Sequence, residues 1–94
     1  MSTETIQRPD LSSQSNTDRE YIVTAFNNDT NSFDEVIYIL VLATECSLDE
    51  AEMETWEIHH MGSSCVHIAS KEECEHAARI IGSIGVRAEV QKNL

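Results

Sequence analysis

Basic residues are scarce in this chain. Its 94 residues carry six Lys and Arg against seventeen Asp and Glu, a formal net charge of −11. No Lys or Arg occurs from Glu20 through Ser70. Nucleic-acid phosphates and anionic membranes call for a basic stripe, so neither is an expected partner. A cationic ligand, or a basic patch on another protein, suits such a surface, although acids also simply solubilise a small domain. Long apolar runs are missing too. The longest, Val36 to Ala43, falls far short of the roughly 20 residues a spanning helix needs. The N-terminal stretch has no apolar h-region and is neither Arg-rich nor acid-poor, so neither a secretory signal nor a transit peptide is read there. Cysteine is limited to Cys46, Cys65 and Cys74. A disulfide framework is normally even-numbered and exported, so reduced thiols are expected. The three glycines, Gly62, Gly82 and Gly85, do not cluster ahead of a helix as a phosphate-binding loop requires.

What is present makes one small domain. A chain of this length buries roughly 60–65% of its extended surface and is modestly stable. Residues 1–18 are rich in Ser, Thr, Gln and Asn, contain the only Pro, and offer just Met1, Ile6 and Leu11 as apolar side chains. Such a segment cannot offset its ordering entropy by burial. A flexible extension over residues 1–19 and a folded domain over residues 20–94 are therefore expected.

The folded part opens with Tyr21-Ile22-Val23-Thr24-Ala25-Phe26, rich in the β-branched and aromatic residues that strands favour. Both faces of this strand look partly buried. Asn27 to Asn31 follow as a strong loop signal. Three capping boxes then mark helix starts: Ser32 with Glu35, Ser47 with Glu50, and Ser70 with Glu73. The first helix places Phe33, Val36, Ile37, Leu40, Val41 and Thr44 on one face. Ile39 and Leu42 are apolar as well, so burial on more than one side is expected. The second runs from Leu48 to about Met61, with Leu48, Ala51, Thr55 and Ile58 inward and Gly62 to stop it. Cys65 to Ala69 reads as a strand. The third helix turns Cys74, Ala77, Ala78, Ile81 and Ile84 inward, and Val86 to Val90 alternate as a half-exposed last strand. The order β-α-α-β-α-β with helices on one face implies a small α+β sandwich.

Few motifs carry chemistry. His59 and His60 sit at a helix C-terminus, where compensation of the helix dipole is the ordinary explanation. Together with Cys65 and His67 they match no standard zinc spacing. Glu57-x-x-His60 resembles half of a di-iron pair but has no second copy. Any cysteine could be nominated as a nucleophile, which speaks for none of them. No catalytic residue, metal or cofactor is expected. The loop Asn27-Asn28-Asp29 is more informative. It follows a strand, precedes a buried helix, and offers amide oxygens and a carboxylate on a firm support, although an ordinary Asn/Asp-rich turn has the same composition.

A strand reading Tyr21-x-Val23, then Asn27-x-Asp29, a capped helix, and a helix ending Ile58-His59-x-x-Gly62 resembles the ClpS family. These are adaptors of the Clp ATP-dependent protease. The resemblance spans about residues 20–91. It implies a three-stranded antiparallel sheet packed on three helices. It implies binding of substrate proteins whose N-terminal residue is a bulky hydrophobic one, and their delivery to a Clp AAA+ unfoldase. Asn27, Asn28, Asp29 and His59 would hold the substrate's free α-amino group. Phe33, Val36, Thr55, Ile58 and Val86 would line the side-chain pocket. Glu72, at the start of the third helix, would dock on the unfoldase N-domain. A monomer in a bacterial-type cytosol is implied as well. The chemistry suits these residues. An α-ammonium offers three donors and a positive charge, Asp29 can accept a charge-assisted bond, Asn27 accepts through its amide oxygen, and His59 accepts when neutral.

The sequence also departs from the family pattern. Asn28 replaces an Asp, which removes negative charge from the loop. Asn31-Ser32-Phe33 stands for the family's Thr-Pro-Met, and Thr55 for a second pocket Met. Methionine adapts to varied guests, so these changes imply a narrower guest list, or a paralogue that docks on the unfoldase without binding N-termini. Ser63 replaces a common basic residue. Ala77 stands where a basic docking contact is common.

Overall fold

The computed structural model describes residues 19–93. The expected flexible extension lies, Arg19 apart, outside the described residues. The elements are β1 (Tyr21–Phe26), α1 (Phe33–Thr44), α2 (Leu48–Met61), β2 (Ser63–Ala69), α3 (Lys71–Gly82) and β3 (Ala88–Lys92). The sheet is antiparallel in the order β2-β1-β3. The α+β sandwich and its antiparallel sheet are thus present. β1 is the central strand, which accounts for its apolar residues on both faces. Val23 and Ala25 turn fully inward, while Ile22, Thr24 and Phe26 are half-buried on the far face.

All three serines cap their helices, accepting from the backbone N–H of Glu35, Glu50 and Glu73. Each fills one of the orphan donors that a helix start leaves. The reciprocal half of the capping box forms only in α1, where the Ser32 N–H donates to Glu35 Oε1 at 2.9 Å. Glu73 instead meets His67 Nε2 at 3.3 Å. The helices end in different ways. α2 stops at Gly62 with φ 98°, the left-handed conformation that glycine adopts without a Cβ penalty. α1 stops at Glu45 with φ 59°, the same region without that freedom.

The core is one cluster of Val23, Ala25, Val36, Leu40, Ala51, Ile58, Val66, Ala69, Cys74, Ala77, Ile81 and Val86. Fully burying a side chain such as Leu40, Ile58 or Ile81 stabilises by about 1.5–3 kcal/mol relative to exposure. Four details differ from the sequence expectation. Leu42 and Leu48 are exposed, because α1 and α2 each present only one side to the sheet. Glu54 is buried among the inward residues of α2. β3 begins at Ala88, so Val86 is buried in the connection before it. β2 begins at Ser63 and carries a bulge: Val23 pairs with His67 but Thr24 with Cys65, which leaves Val66 as the extra residue. The bulge shifts the inward phase of β2 from Ser64 and Val66 to Ala69.

Candidate functional site

Three chain segments meet where β1 ends. The Asn27 N–H donates to the Gly62 carbonyl at 3.0 Å, which ties the loop after β1 to the cap of α2. The Phe26 N–H donates to the Arg87 carbonyl at 2.9 Å, which ties the same point to the approach to β3. The Asn28 side chain locks the loop between these ties. Its Oδ1 accepts from the Thr30 and Asn31 N–H groups, both at 3.0 Å. Its Nδ2 donates to Asn31 Oδ1 at 2.8 Å and to the Gly85 carbonyl at 3.1 Å. Both ends of this amide are committed, so Asn28 braces the loop. An Asp at this position could accept the two backbone bonds but could not donate to Gly85.

Asn27 and Asp29 are exposed on the loop so braced. Asn31 Nδ2 donates to Glu35 Oε1 at 3.2 Å. The Ser32 backbone bond and this one together hold the Glu35 carboxyl below its ordinary range. From α2 comes His59, whose Nδ1 lies 3.0 Å from the Thr55 carbonyl oxygen. A carbonyl only accepts, so Nδ1 carries the proton in this contact, and the neutral ring keeps Nε2 as a free acceptor. The C-terminal end of α2 adds partial negative charge at the same place. Its last turn, His59 and His60, holds no Lys or Arg. The loop and the helix end thus present acceptors and negative charge, an arrangement suited to a cation with several N–H donors.

The proposed pocket residues lie beside this rim. Phe33, the first residue of α1, is 38% exposed, and its ring sits 5.2 Å from that of His59. Val36, Thr55, Ile58 and Val86 are each buried to 3% exposure or less. They belong to the packed interior, whereas Phe33 is partly exposed. The buried Thr55 Oγ1 has no hydrogen-bond partner among the described residues. Glu72 is exposed in the first turn of α3, where an acid also complements the helix dipole. Ala77 is buried against the sheet, so that position belongs to the core and offers nothing to a docking surface. His60 stacks on Trp56 at 4.3 Å, and its Nδ1 meets the Trp56 carbonyl at 3.0 Å. Among the described residues no group of three or more His, Cys, Asp and Glu could hold a metal ion.

The family model for "ATP-dependent Clp protease adaptor protein ClpS" matches residues 16–89. The chain belongs to the ClpS family. Among curated proteins, the E3 ubiquitin-protein ligase UBR1 of Homo sapiens is 35% identical over 75 residues, and UBR1 of Mus musculus matches to the same extent. Each match covers 80% of this chain, which spans only 4% of the length of those ligases. Among solved structures, ClpS2 of Agrobacterium tumefaciens bound to L-phenylalaninamide superposes with a TM-score of 0.73 at 18% identity. That match covers 80% of this chain and 98% of ClpS2, and shows that the two share a fold. Among the described residues no helix of this ClpS-family domain is long and apolar enough to cross a membrane.

Sequence reasoning missed one feature of the chain. Glu54 lies at the i+3 position from Ala51 and i−4 from Ile58, both buried. That spacing was the available signal, and the run of acids around Glu54 hid it.

Proposed function

We propose that this ClpS-family domain is an adaptor that holds the free N-terminus of a substrate protein with a bulky hydrophobic first residue. It would pass that substrate to a Clp AAA+ unfoldase. The observation that carries the reading is the pairing of the braced Asn27–Asp29 loop with a His59 ring whose Nδ1 is tied to Thr55. An α-ammonium has three N–H donors. Asp29 would accept one with full charge assistance, the Asn27 amide oxygen a second, and His59 Nε2 a third. A charge-assisted bond of this kind contributes about 1.5–3 kcal/mol, enough to distinguish a free amine from an acetylated one.

Phe33 governs the side chain that follows the amine. Its ring is partly exposed and sits against that of His59, so a guest held at His59 must move or stack on Phe33. Flat aromatic first residues satisfy this better than β-branched ones. The L-phenylalaninamide bound to ClpS2 has the matching chemistry, a free α-amine beside an aromatic ring. The same contact favours a second reading. If Phe33 stays in place, the domain docks on the unfoldase through the α3 end bearing Glu72 and binds no N-terminus.

Fluorescence anisotropy with labelled peptides beginning in Phe, Tyr, Trp, Leu, Val and acetylated Leu tests both readings. Tight binding confined to free bulky N-termini, lost in Asp29→Ala and His59→Ala variants of unchanged stability, supports the adaptor. No binding to any peptide favours the docking-only reading.

A further inference from the structure

A cavity of about 250 Å³ opens on the other side of α2, lined by Arg19, Glu50, Glu54, Cys65, Val66, His67 and Ile68. Val66, the extra residue of the β2 bulge, is among its lining residues, and bulges commonly re-aim side chains beside sites. Glu54 is only 9% exposed, and its Oε1 is buried with no hydrogen-bond partner among the described residues. Burying an acid oxygen without a donor is costly. Such groups are retained where something else supplies the donor.

We infer that this cavity is a second binding site that takes a primary alkylammonium, the head group shared by a lysine side chain and a free aliphatic amine. The walls match both ends of such a ligand. Val66 and Ile68 are among the residues that line the cavity and would meet the methylenes, while the carboxyls of the buried Glu54 and the exposed Glu50 would meet the ammonium. The other charged groups do not supply the donor. His67 already faces Glu73 at 3.3 Å. Glu57 accepts from Ser64 Oγ at 2.6 Å. Arg19 lies at the exposed rim, its carbonyl accepting from Asn93 Nδ2 at 3.1 Å, and forms no ion pair with Glu50 or Glu54. Cys65 Sγ, exposed, reaches only the His67 carbonyl at 3.9 Å. Burial, then the hydrogen bond and charge of Glu50 and the charge of Glu57, push the Glu54 carboxyl up from its ordinary 4.5 to about 8. An entering ammonium therefore replaces a proton held between the two acids, and binding strengthens as pH rises.

The test is an NMR titration of the full chain with n-butylammonium chloride, with n-butanol as the neutral control. Backbone and methyl signals of Glu50, Val66 and Ile68 should move with a dissociation constant on the order of 1 mM, and butanol should leave them in place. Glu54→Gln should weaken binding at least tenfold, whereas Asp29→Ala should leave it unchanged. Glu50→Gln, which removes the second carboxyl at an exposed position, should weaken binding as well and guards against a misfolded first variant. A lysine peptide blocked at both termini supplies the second arm. If it moves the same signals, the site takes a partner's lysine. If only the small amine does, the site takes a free amine. The inference is overturned if butylammonium moves none of these signals, if butanol moves them equally, or if Glu54→Gln binds as tightly as the parent.

Discussion

Replacing Glu54 with Gln should stabilise this chain, and by an amount that grows with pH. Glu54 is 9% exposed beside Glu50. Burial first, and then the bond and charge of Glu50 and the charge of Glu57, raise its carboxyl from 4.5 to about 8. The folded state therefore binds the proton more tightly than the unfolded chain does. Stability supplied by the protonated form is fully present below pH 4.5 and is lost as pH rises through 8. Each pH unit in that window is worth about 1.4 kcal/mol, which sets a ceiling of about 5 kcal/mol. Water at the cavity mouth screens part of this, so a loss of about 3 kcal/mol between pH 5 and pH 9 is expected. That is a large share of the roughly 5–15 kcal/mol a domain holds. The glutamine amide keeps the shape, can still donate to Glu50, and does not titrate. Urea unfolding followed by Trp56 fluorescence at several pH values measures the difference. The two chains should be nearly equal at pH 5, and the Glu54→Gln variant should lead by about 3 kcal/mol at pH 9. Comparing the two cancels the general repulsion of the net charge of −11. A difference that does not change with pH refutes the reasoning, because it would mean that Glu54 is already ionised in the folded state.

Three further outcomes are expected. Glu45→Gly should raise stability by about 0.5–1 kcal/mol in urea unfolding, because Glu45 sits at φ 59° and glycine enters that region without strain. Thr55→Val should gain about 1 kcal/mol by replacing an unpartnered buried hydroxyl with a methyl of similar shape. Asn28→Ala should cost about 1–2 kcal/mol through its lost loop bonds. It should also weaken binding of Phe-initiated peptides in the anisotropy assay, because the loop bonds of Asn28 hold Asn27 and Asp29 in place.

The helix starts were legible because capping is local chemistry. Ser32, Ser47 and Ser70 accept from the N–H three residues on, a contact that needs only the residues involved. The limits of α1 and α2 followed from the same logic. The loop motif and His59 were legible as residue types, and both lie within the family match over residues 16–89. The role of Asn28 was not, since its amide bonds Gly85, which lies far along the chain. Leu42 and Leu48 misled because periodicity says which side of a helix is apolar, not how much of that side a small sheet can cover.

The sequence by itself determined the α+β order of elements, the helix caps, the acidic surface, and an acceptor-rich loop ahead of a buried helix. These are short-range properties, carried by neighbours three or four residues apart. Only the tertiary structure decided which acid goes inside. Asp49, Glu50, Glu52, Glu54 and Glu57 look alike along the chain, yet Glu54 alone among them is buried. The reason is that α2 packs against β2, where Glu54 lines a cavity together with Val66, the extra residue of the β2 bulge. The same packing turns Val36, Ile58 and Val86 into core and leaves Phe33 partly exposed against His59. Burial is set by elements distant in sequence, and it converts an ordinary surface glutamate into an acid that holds its proton near neutral pH.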